Sequence, residues 1–514
     1  MTIFGNSKQN KRSFMKARKR TAGVLLPITS LPSKYGIGTV GKAAYEFVDF
    51  LKKSGQTYWQ ILPAGPTGYG DSPYQSFSTF AGNPYFIDLD ILVSEGLLLQ
   101  EECDKADFGD NEQYVDYEKQ YYNRFPLLKK AFARFCAAGG QQREEYLSFY
   151  EENKYWLDDY AVYMAVKNHY DGKSFREWDE EIRMNDVLAC DEYREKCRED
   201  YDFYCFLQFE FRRQWMAWKA YANENGIRII GDIPIYVAAD SADTWANPEL
   251  FQLDENAVPT RVAGCPPDYF CKTGQLWGNP LYDWEYHKKT GYAWWVKRIA
   301  YCFELYDVVR IDHFRGFDEY YAIPYGDPTA EFGRWEKGPG IDLFNTLKKE
   351  LGKMDVIAED LGFLTPSVLR LVKKTGYPGM KVLQFGFDPE GDSTYLPHHY
   401  PENCIVYSGT HDNDTSVGCY KTMRHKEKAF AKKYLNITSP KQVNWAFIRT
   451  ALASNGNTAI ITMQDYLGLG SEARINTPST LGDNWKWRML PGQVTEELSQ
   501  EIRELCFVYA RCEK

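Results

Sequence analysis

A closed barrel of eight parallel strands alternating with helices, (β/α)8, is the fold this sequence predicts. It carries a large helical insertion and a long loop insertion, with no separate C-terminal β domain. Three observations lead there. Eight short apolar runs recur along the 514 residues, most of them continuous in Val, Ile and Leu as strands buried on both faces require. Segments of helical spacing lie between them, which favours a closed parallel barrel over an open sheet. Acidic residues stand at the ends of most runs, the edge where such barrels assemble their sites. The length exceeds one average domain, but a barrel with insertions absorbs it.

In chain order the runs are Gly23–Leu26, Tyr58–Leu62, Arg228–Ile233, Asp307–Ile311, Asp355–Ala358, Lys381–Phe385, Cys404–Tyr407 and Thr458–Thr462. After the first, Lys42–Lys53 places Ala43, Phe47, Phe50 and Leu51 on one helical stripe. Ile341–Leu351, Ser367–Lys374 and Gln442–Ser454 show the same spacing, two of them ending near a Gly stop. Residues 97–225 contain no buried-strand signal. Trp156, Leu157, Tyr160, Ala161, Met164 and Ala165 form one stripe there, and Leu207, Phe211, Trp215 and Trp218 another. An inserted, mostly helical subdomain between the second and third strands is expected. Residues 240–301, rich in Gly, Pro and aromatics, predict a long active-site loop insertion. About fifty residues follow the eighth run, with Val494–Cys506 helical. The expected division is therefore a basic tail, 1–20, and one catalytic barrel, 21–514.

Composition narrows the function classes. The net charge of −10 disfavours a nucleic-acid partner. Aromatic residues make up 16% of the chain, and Tyr and Trp faces serve sugars as well as cores. No run approaches a membrane span. Residues 1–20 hold seven Lys/Arg and the first acid is Glu46, which reads as a solvated tail in preference to a plastid-targeting segment. The twelve Cys include no CxxC pair, so reduced thiols in the cytoplasm are expected. The adjacent His398 and His399 read as loop rather than ligands. No metal, cofactor or obligate protein partner is expected.

The strand ends carry the chemistry. The second run leads into Pro-Ala-Gly-Pro-Thr-Gly-Tyr-Gly-Asp-Ser-Pro-Tyr ending at Tyr74, the third into Gly-Asp232-Ile-Pro-Ile-Tyr, the fourth into Arg310-Ile-Asp312-His. The fifth ends Ala-Glu359-Asp360-Leu-Gly, the seventh Ser-Gly-Thr-His411-Asp412-Asn, the eighth Met-Gln-Asp465-Tyr. Arg310 and Asp312, two apart on a strand, share a face, and the guanidinium is expected to hold Asp312 ionised. An acid after an apolar run is expected to keep its proton by burial. One ionised and one protonated carboxyl are what glycosidic cleavage with retention needs. Local chemistry does not choose between Glu359 and Asp360.

The set Arg310-Ile-Asp312-His, Ala358-Glu359-Asp-Leu-Gly and Gly409-Thr-His411-Asp412-Asn resembles the α-amylase clan. The phrases at 65–76, 231–238 and 264–282 resemble, more narrowly, the amylomaltase or 4-α-glucanotransferase (disproportionating enzyme) family, over about Arg20 to Arg488. The resemblance implies Asp312 as nucleophile, Glu359 as general acid/base and Asp412 as the third acid. It implies Asp232, Arg310, His411 and Tyr74 as subsite partners, and Tyr269, Phe270, Gln275 and Trp277 in a loop closing over the glucan. The chain departs from the family pattern at Cys265, Cys271 and Gly386. The implied activity is transfer between maltooligosaccharide, starch or glycogen chains, without cofactor. An α-1,4-glucan hydrolase on the same barrel and a non-catalytic glucan-binding protein are the alternatives.

Overall fold

The computed structural model describes residues 20–68, 70–267, 272–362 and 364–513. The basic stretch 1–19 and residues 268–271 lie outside these, and with them the expectations placed on the tail, on Tyr269 and on Phe270. In chain order the strands are β1 (Thr21–Leu25), β2 (Tyr58–Gln60), β3 (Arg228–Pro234), β4 (Arg261–Cys265), β5 (Gln275–Pro280), β6 (Val308–Asp312), β7 (Glu319–Pro324), β8 (Arg334–Lys337), β9 (Val356–Ala358), β10 (Gly379–Val382), β11 (Cys404–Tyr407) and β12 (Thr458–Thr462). Eight of them form one parallel sheet in the order β10-β11-β12-β1-β2-β3-β6-β9. The other four pair antiparallel in the order β5-β4-β7-β8 and stand beside the barrel.

The parallel sheet closes on itself at β9 and β10. The Ala358 N–H donates to the Pro378 carbonyl at 3.0 Å. One step further the Met380 N–H donates to the Asp360 carboxylate at 2.7 Å, so a side chain stands in for a strand carbonyl. Gly379 makes this approach possible, because a Cβ there would lie 2.4 Å from the Asp360 carboxylate. This corrects the sixth predicted run. The strand is Gly379–Val382, and Leu383–Gly386 turns into a short 3-10 helix. A strand opening with Gly carries a weak apolar signal, which moved the prediction downstream.

Helices cover the barrel by burying one face each. Lys42–Lys53 buries Ala44, Phe47, Val48, Phe50 and Leu51. Pro366–Thr375 starts on a Thr365 side-chain cap with Pro at the first turn and stops at left-handed Gly376, the chemistry that defines both ends. Between β2 and β3 the chain forms the long helices Glu144–His169 and Arg198–Glu224, which pack on each other. The second seats Trp218 perpendicular to Trp59 of β2, centroids 5.1 Å apart, with Trp215 against Trp218 at 4.9 Å. Such aromatic pairs contribute about 0.5–1.5 kcal/mol each beyond area burial.

Residues 240–301 are not the long loop that their Gly and Pro content predicted. They hold β4, β5, and the helices Trp284–Lys289 and Ala293–Leu305. Trp294, Trp295, Ile299 and Leu305 of the last helix are buried. The strands there bond to one another and to β7, a pairing no local pattern encodes.

Asp360→Ala strips the acceptor from a buried N–H at the barrel's seam. It should cost about 1–3 kcal/mol of unfolding free energy, with Asp360→Asn, which keeps an acceptor, costing less. Urea denaturation checks this; equal midpoints for Asp360→Ala and wild type would refute the sealing role.

Candidate functional site

The register of β3 on β6 builds the floor of the site. Asp232 lies opposite Arg310 and Pro234 opposite Asp312. Side chains alternate along β6, so Arg310 and Asp312 both point to the barrel interior while Val309 and Ile311 pack outward into the core. The Arg310 guanidinium is buried and holds two carboxylates: Asp232 at 2.5 Å and Asp312 at 2.9 Å. Its Nε approaches the Met380 sulfur at 3.4 Å. Asp232 also accepts from the Tyr74 hydroxyl at 2.8 Å, while its other oxygen has no partner among the described residues.

Tyr74 links this floor to the end of β11. Its ring stacks on His411 at 5.1 Å, and its hydroxyl lies 3.5 Å from His411 Nδ1. His411 Nε2 is 3.4 Å from an Asp412 oxygen. The other Asp412 oxygen accepts from the Asn476 side chain at 2.6 Å, and the Asp412 carbonyl accepts from Arg474 at 2.6 Å. The Asn476 N–H donates to the His411 carbonyl at 3.1 Å. Asp412 is thus oriented from two sides and still half-exposed to the cleft.

Glu359 follows β9. After β6 the chain enters a left-handed conformation at His313, φ 52°, which turns its N–H onto a Glu359 oxygen at 2.7 Å. The Leu361 N–H holds the other oxygen at 2.8 Å. Burial pushes the Glu359 carboxyl up to about 8, and the Asp312 charge adds to it; Arg310 and the two N–H donors only partly offset them. Burial also raises Asp312, against the pull of Arg310. The net direction at Asp312 is therefore opposite to the one its neighbouring guanidinium predicted, because desolvation is the larger effect. Both acids are thus raised by burial, and Glu359, which lacks a direct bond to Arg310, feels the Asp312 charge as well.

Asp360 has a different task. It is buried, turned to Met380 and Gly379, and raised to about 6 by burial, whereas the Asp312 charge acts on Glu359. Asp465 is likewise structural, accepting from the Ser408 hydroxyl at 2.6 Å and the Ser416 N–H at 2.7 Å. Gln275 and Trp277 lie on β5, with the Trp277 N–H donating to Gln275 at 3.1 Å. The Trp277 ring meets His313 edge-on at 4.8 Å, one residue beyond Asp312. Burial lowers His313 to about 3, so the imidazole there is neutral.

Three residues of this neighbourhood escaped the sequence reading: Arg474, Asn476 and Trp485. Trp485 packs 5.9 Å from Tyr74 and 6.0 Å from His411. All lie after β12 in irregular backbone, where no periodicity marks a side chain as site-facing. The one local hint is Asn476 just ahead of a Thr-Pro turn.

A parallel barrel gathering carboxylic acids around one buried guanidinium at its strand ends defines an enzyme of glycosidic-bond chemistry. Comparison with known proteins narrows this. A family model described as 4-alpha-glucanotransferase matches residues 26–494. The chain is 49% identical over 488 residues to a 4-alpha-glucanotransferase of Clostridium butyricum, covering 95% of this chain and 100% of the relative. It is 50% identical over 496 residues to one of Streptococcus pneumoniae, covering 96% and 98%. The solved structure of an amylomaltase from Streptococcus agalactiae in complex with acarbose superposes with a TM-score of 0.93 at 42% identity, covering 96% of this chain and all of that one. The chain belongs to the 4-alpha-glucanotransferase family.

The raised Glu359 has consequences for pH. Its folded form holds a proton up to about 8 that the unfolded chain releases near 4.5. Its contribution to stability is full below the unfolded value and is lost as pH rises through the folded one. Glu359→Gln does not titrate, so its melting temperature relative to wild type should rise between pH 5 and pH 8. Transfer by the wild type should fall as pH passes about 8. A flat melting difference and a rate unchanged to pH 9 would overturn this.

Proposed function

We propose that this enzyme moves α-1,4-glucan segments by double displacement, with Asp312 as nucleophile, Glu359 as general acid/base and Asp412 gripping the hydroxyls of the distorted sugar. In the first step an Asp312 oxygen attacks the anomeric carbon, the glycosidic C–O bond breaks, and Glu359 gives its proton to the departing 4-oxygen. In the second, Glu359 takes the proton from the 4-OH of an incoming glucan, whose oxygen displaces Asp312. Asp232, Arg310, His411 and Tyr74 hold the reacting sugar in this reading. Gln275 and Trp277 of β5 contact the glucan in the same reading.

The observation that carries the proposal is the unequal environment of the two acids. Asp312 is bonded to a buried guanidinium, whereas Glu359 meets only backbone N–H groups among the described residues and is raised to about 8. Maltooligosaccharides and starch or glycogen chains are the proposed substrates, supported by the acarbose complex of the Streptococcus agalactiae amylomaltase. A cytoplasmic location is proposed as well, on the thiols of Cys205, Cys302 and Cys506 that line the core.

Product analysis from maltotriose separates transfer from hydrolysis. A ladder of longer and shorter chains with glucose is expected, whereas glucose and maltose alone would point to the hydrolase. Asp312→Asn should retain the fold and lower transfer at least about 10³-fold. Glu359→Gln should slow maltooligosaccharide transfer about 10²–10⁴-fold, yet spare the first step with α-glucosyl fluoride, whose leaving group needs no proton. Equal loss on both donors would remove Glu359 from the acid role.

Transfer requires that acceptor sugar outcompete water at the covalent intermediate. We assign the exclusion of water there to Trp277, a reading supported by its edge-on contact with His313. Trp277→Ala should cost about 1–2 kcal/mol of acceptor binding and raise the hydrolysis-to-transfer ratio several-fold. Reducing-end release measured beside glucose release reads the ratio; a constant ratio with a lower rate would assign Trp277 to the donor side.

A further inference from the structure

The segment joining β10 to β11 brings together three side chains that the reaction does not use. Asp392, His398 and His399 each offer one ligand atom, and these atoms lie within 4.8 Å of one another. Both imidazole Nε2 atoms face the same Asp392 oxygen, His399 at 2.6 Å and His398 at 3.7 Å. The two rings lie side by side with centroids 4.1 Å apart. All three side chains are open to solvent, at 77% for Asp392, 52% for His398 and 37% for His399, so an ion reaches them without unfolding anything. Two adjacent histidines in sequence gave no ligand spacing; the short turn Pro397–His399 and the fold-back of Asp392 create it.

A second feature distinguishes this group from a chance surface cluster. The Nδ1 atom of His398 is 2.9 Å from the Tyr434 hydroxyl, on the helix His425–Tyr434. A partner on Nδ1 fixes the ring and leaves Nε2 toward Asp392, the outer-shell arrangement that metal-binding histidines use. The backbone under the group is also tied down. Tyr400 donates through its hydroxyl to the Tyr395 carbonyl at 2.6 Å, and Gly386 admits that carbonyl so closely that a Cβ would lie 2.8 Å from it. The departure of Gly386 from the family pattern thus has a local reason.

We propose that Asp392, His398 and His399 form a binding site for a divalent transition ion of the zinc type, which clamps the β10–β11 segment onto the helix His425–Tyr434. Two imidazoles and a carboxylate suit Zn²⁺, Ni²⁺ or Cu²⁺ rather than Mg²⁺ or Ca²⁺. Tetrahedral zinc with bonds near 2.0 Å needs ligand atoms roughly 3.3 Å apart, so small rotations of exposed side chains complete the site. The ion takes the place of the direct His399–Asp392 contact, and water fills the open position. The segment also carries Tyr395, whose phenol feels the charges of Asp360 and Glu359, so the clamp holds the rim of the site beside the proposed acid.

Calorimetric titration of the full chain with ZnCl₂ in a non-chelating buffer tests this. One binding event is expected in the wild type and its loss in His398→Ala/His399→Ala, whose retained transfer from maltotriose shows that it is folded. Tyr434→Phe keeps every ligand and should weaken binding about tenfold. Hydrogen exchange across 387–400 should slow with Zn²⁺ in the wild type only. Equal binding by wild type and the double variant would place the ion elsewhere, on thiols for example, and overturn the proposal. So would the absence of binding up to about 1 mM Zn²⁺.

Discussion

A guanidinium buried between carboxylates at the bottom of the cleft sets the terms for everything above it. Arg310 bonds Asp232 on one side and Asp312 on the other, and Tyr74 donates to the same Asp232 oxygen. Placing a charge there is costly, and only such close pairing offsets the lost hydration; removing one partner of a buried pair typically costs about 3–5 kcal/mol. The same arrangement distributes the protons. Arg310 pulls Asp312 toward its charged form against the burial that raises it, while burial and the Asp312 charge together raise Glu359. Retaining glycosidic chemistry calls for one ionised and one protonated carboxyl, and the guanidinium favours the first of these.

The acids at the strand ends divide between the cleft and the construction of the barrel, and neighbours in sequence turn opposite ways. Glu359 turns to the cleft under two backbone N–H groups, while Asp360 turns away and closes the barrel through Met380. Asp412 remains in the cleft on Asn476, whereas Asp465 is consumed by Ser408 and Ser416. Barrel closure at β9 and β10 thus uses a carboxylate one residue from the proposed proton donor. The position of Glu359 depends on that seam being shut.

The aromatic side of the cleft is supported differently. Trp277 stands on a small antiparallel sheet, not on the barrel, and reaches the site through His313, whose left-handed backbone also delivers the N–H to Glu359. One residue therefore connects the part that does chemistry with the part proposed to exclude water. Buried and neutral, His313 adds no charge to a pocket already crowded with carboxylates.

The sequence by itself determined the eight strands to within a few residues, the acids at their ends, and the pairing of Arg310 with Asp312. Each is local: continuous apolar runs mark strands buried on both faces, and alternation puts i and i+2 on one side. Its motifs also carried the family. Only the tertiary structure separated the surroundings of Glu359 and Asp360, because both end the same strand and their directions depend on β6 and β10 lying on either side. It also reversed the net shift at Asp312, since desolvation is set by everything packed around a group and not by its nearest neighbour in sequence. Asn476 and Trp485 reach Asp412 and His411 from irregular chain far away in sequence, and the strands within 240–301 find partners only across space. Local patterns report which residues are buried and which face they share. Direction, desolvation and long-range partners arise only when the barrel closes.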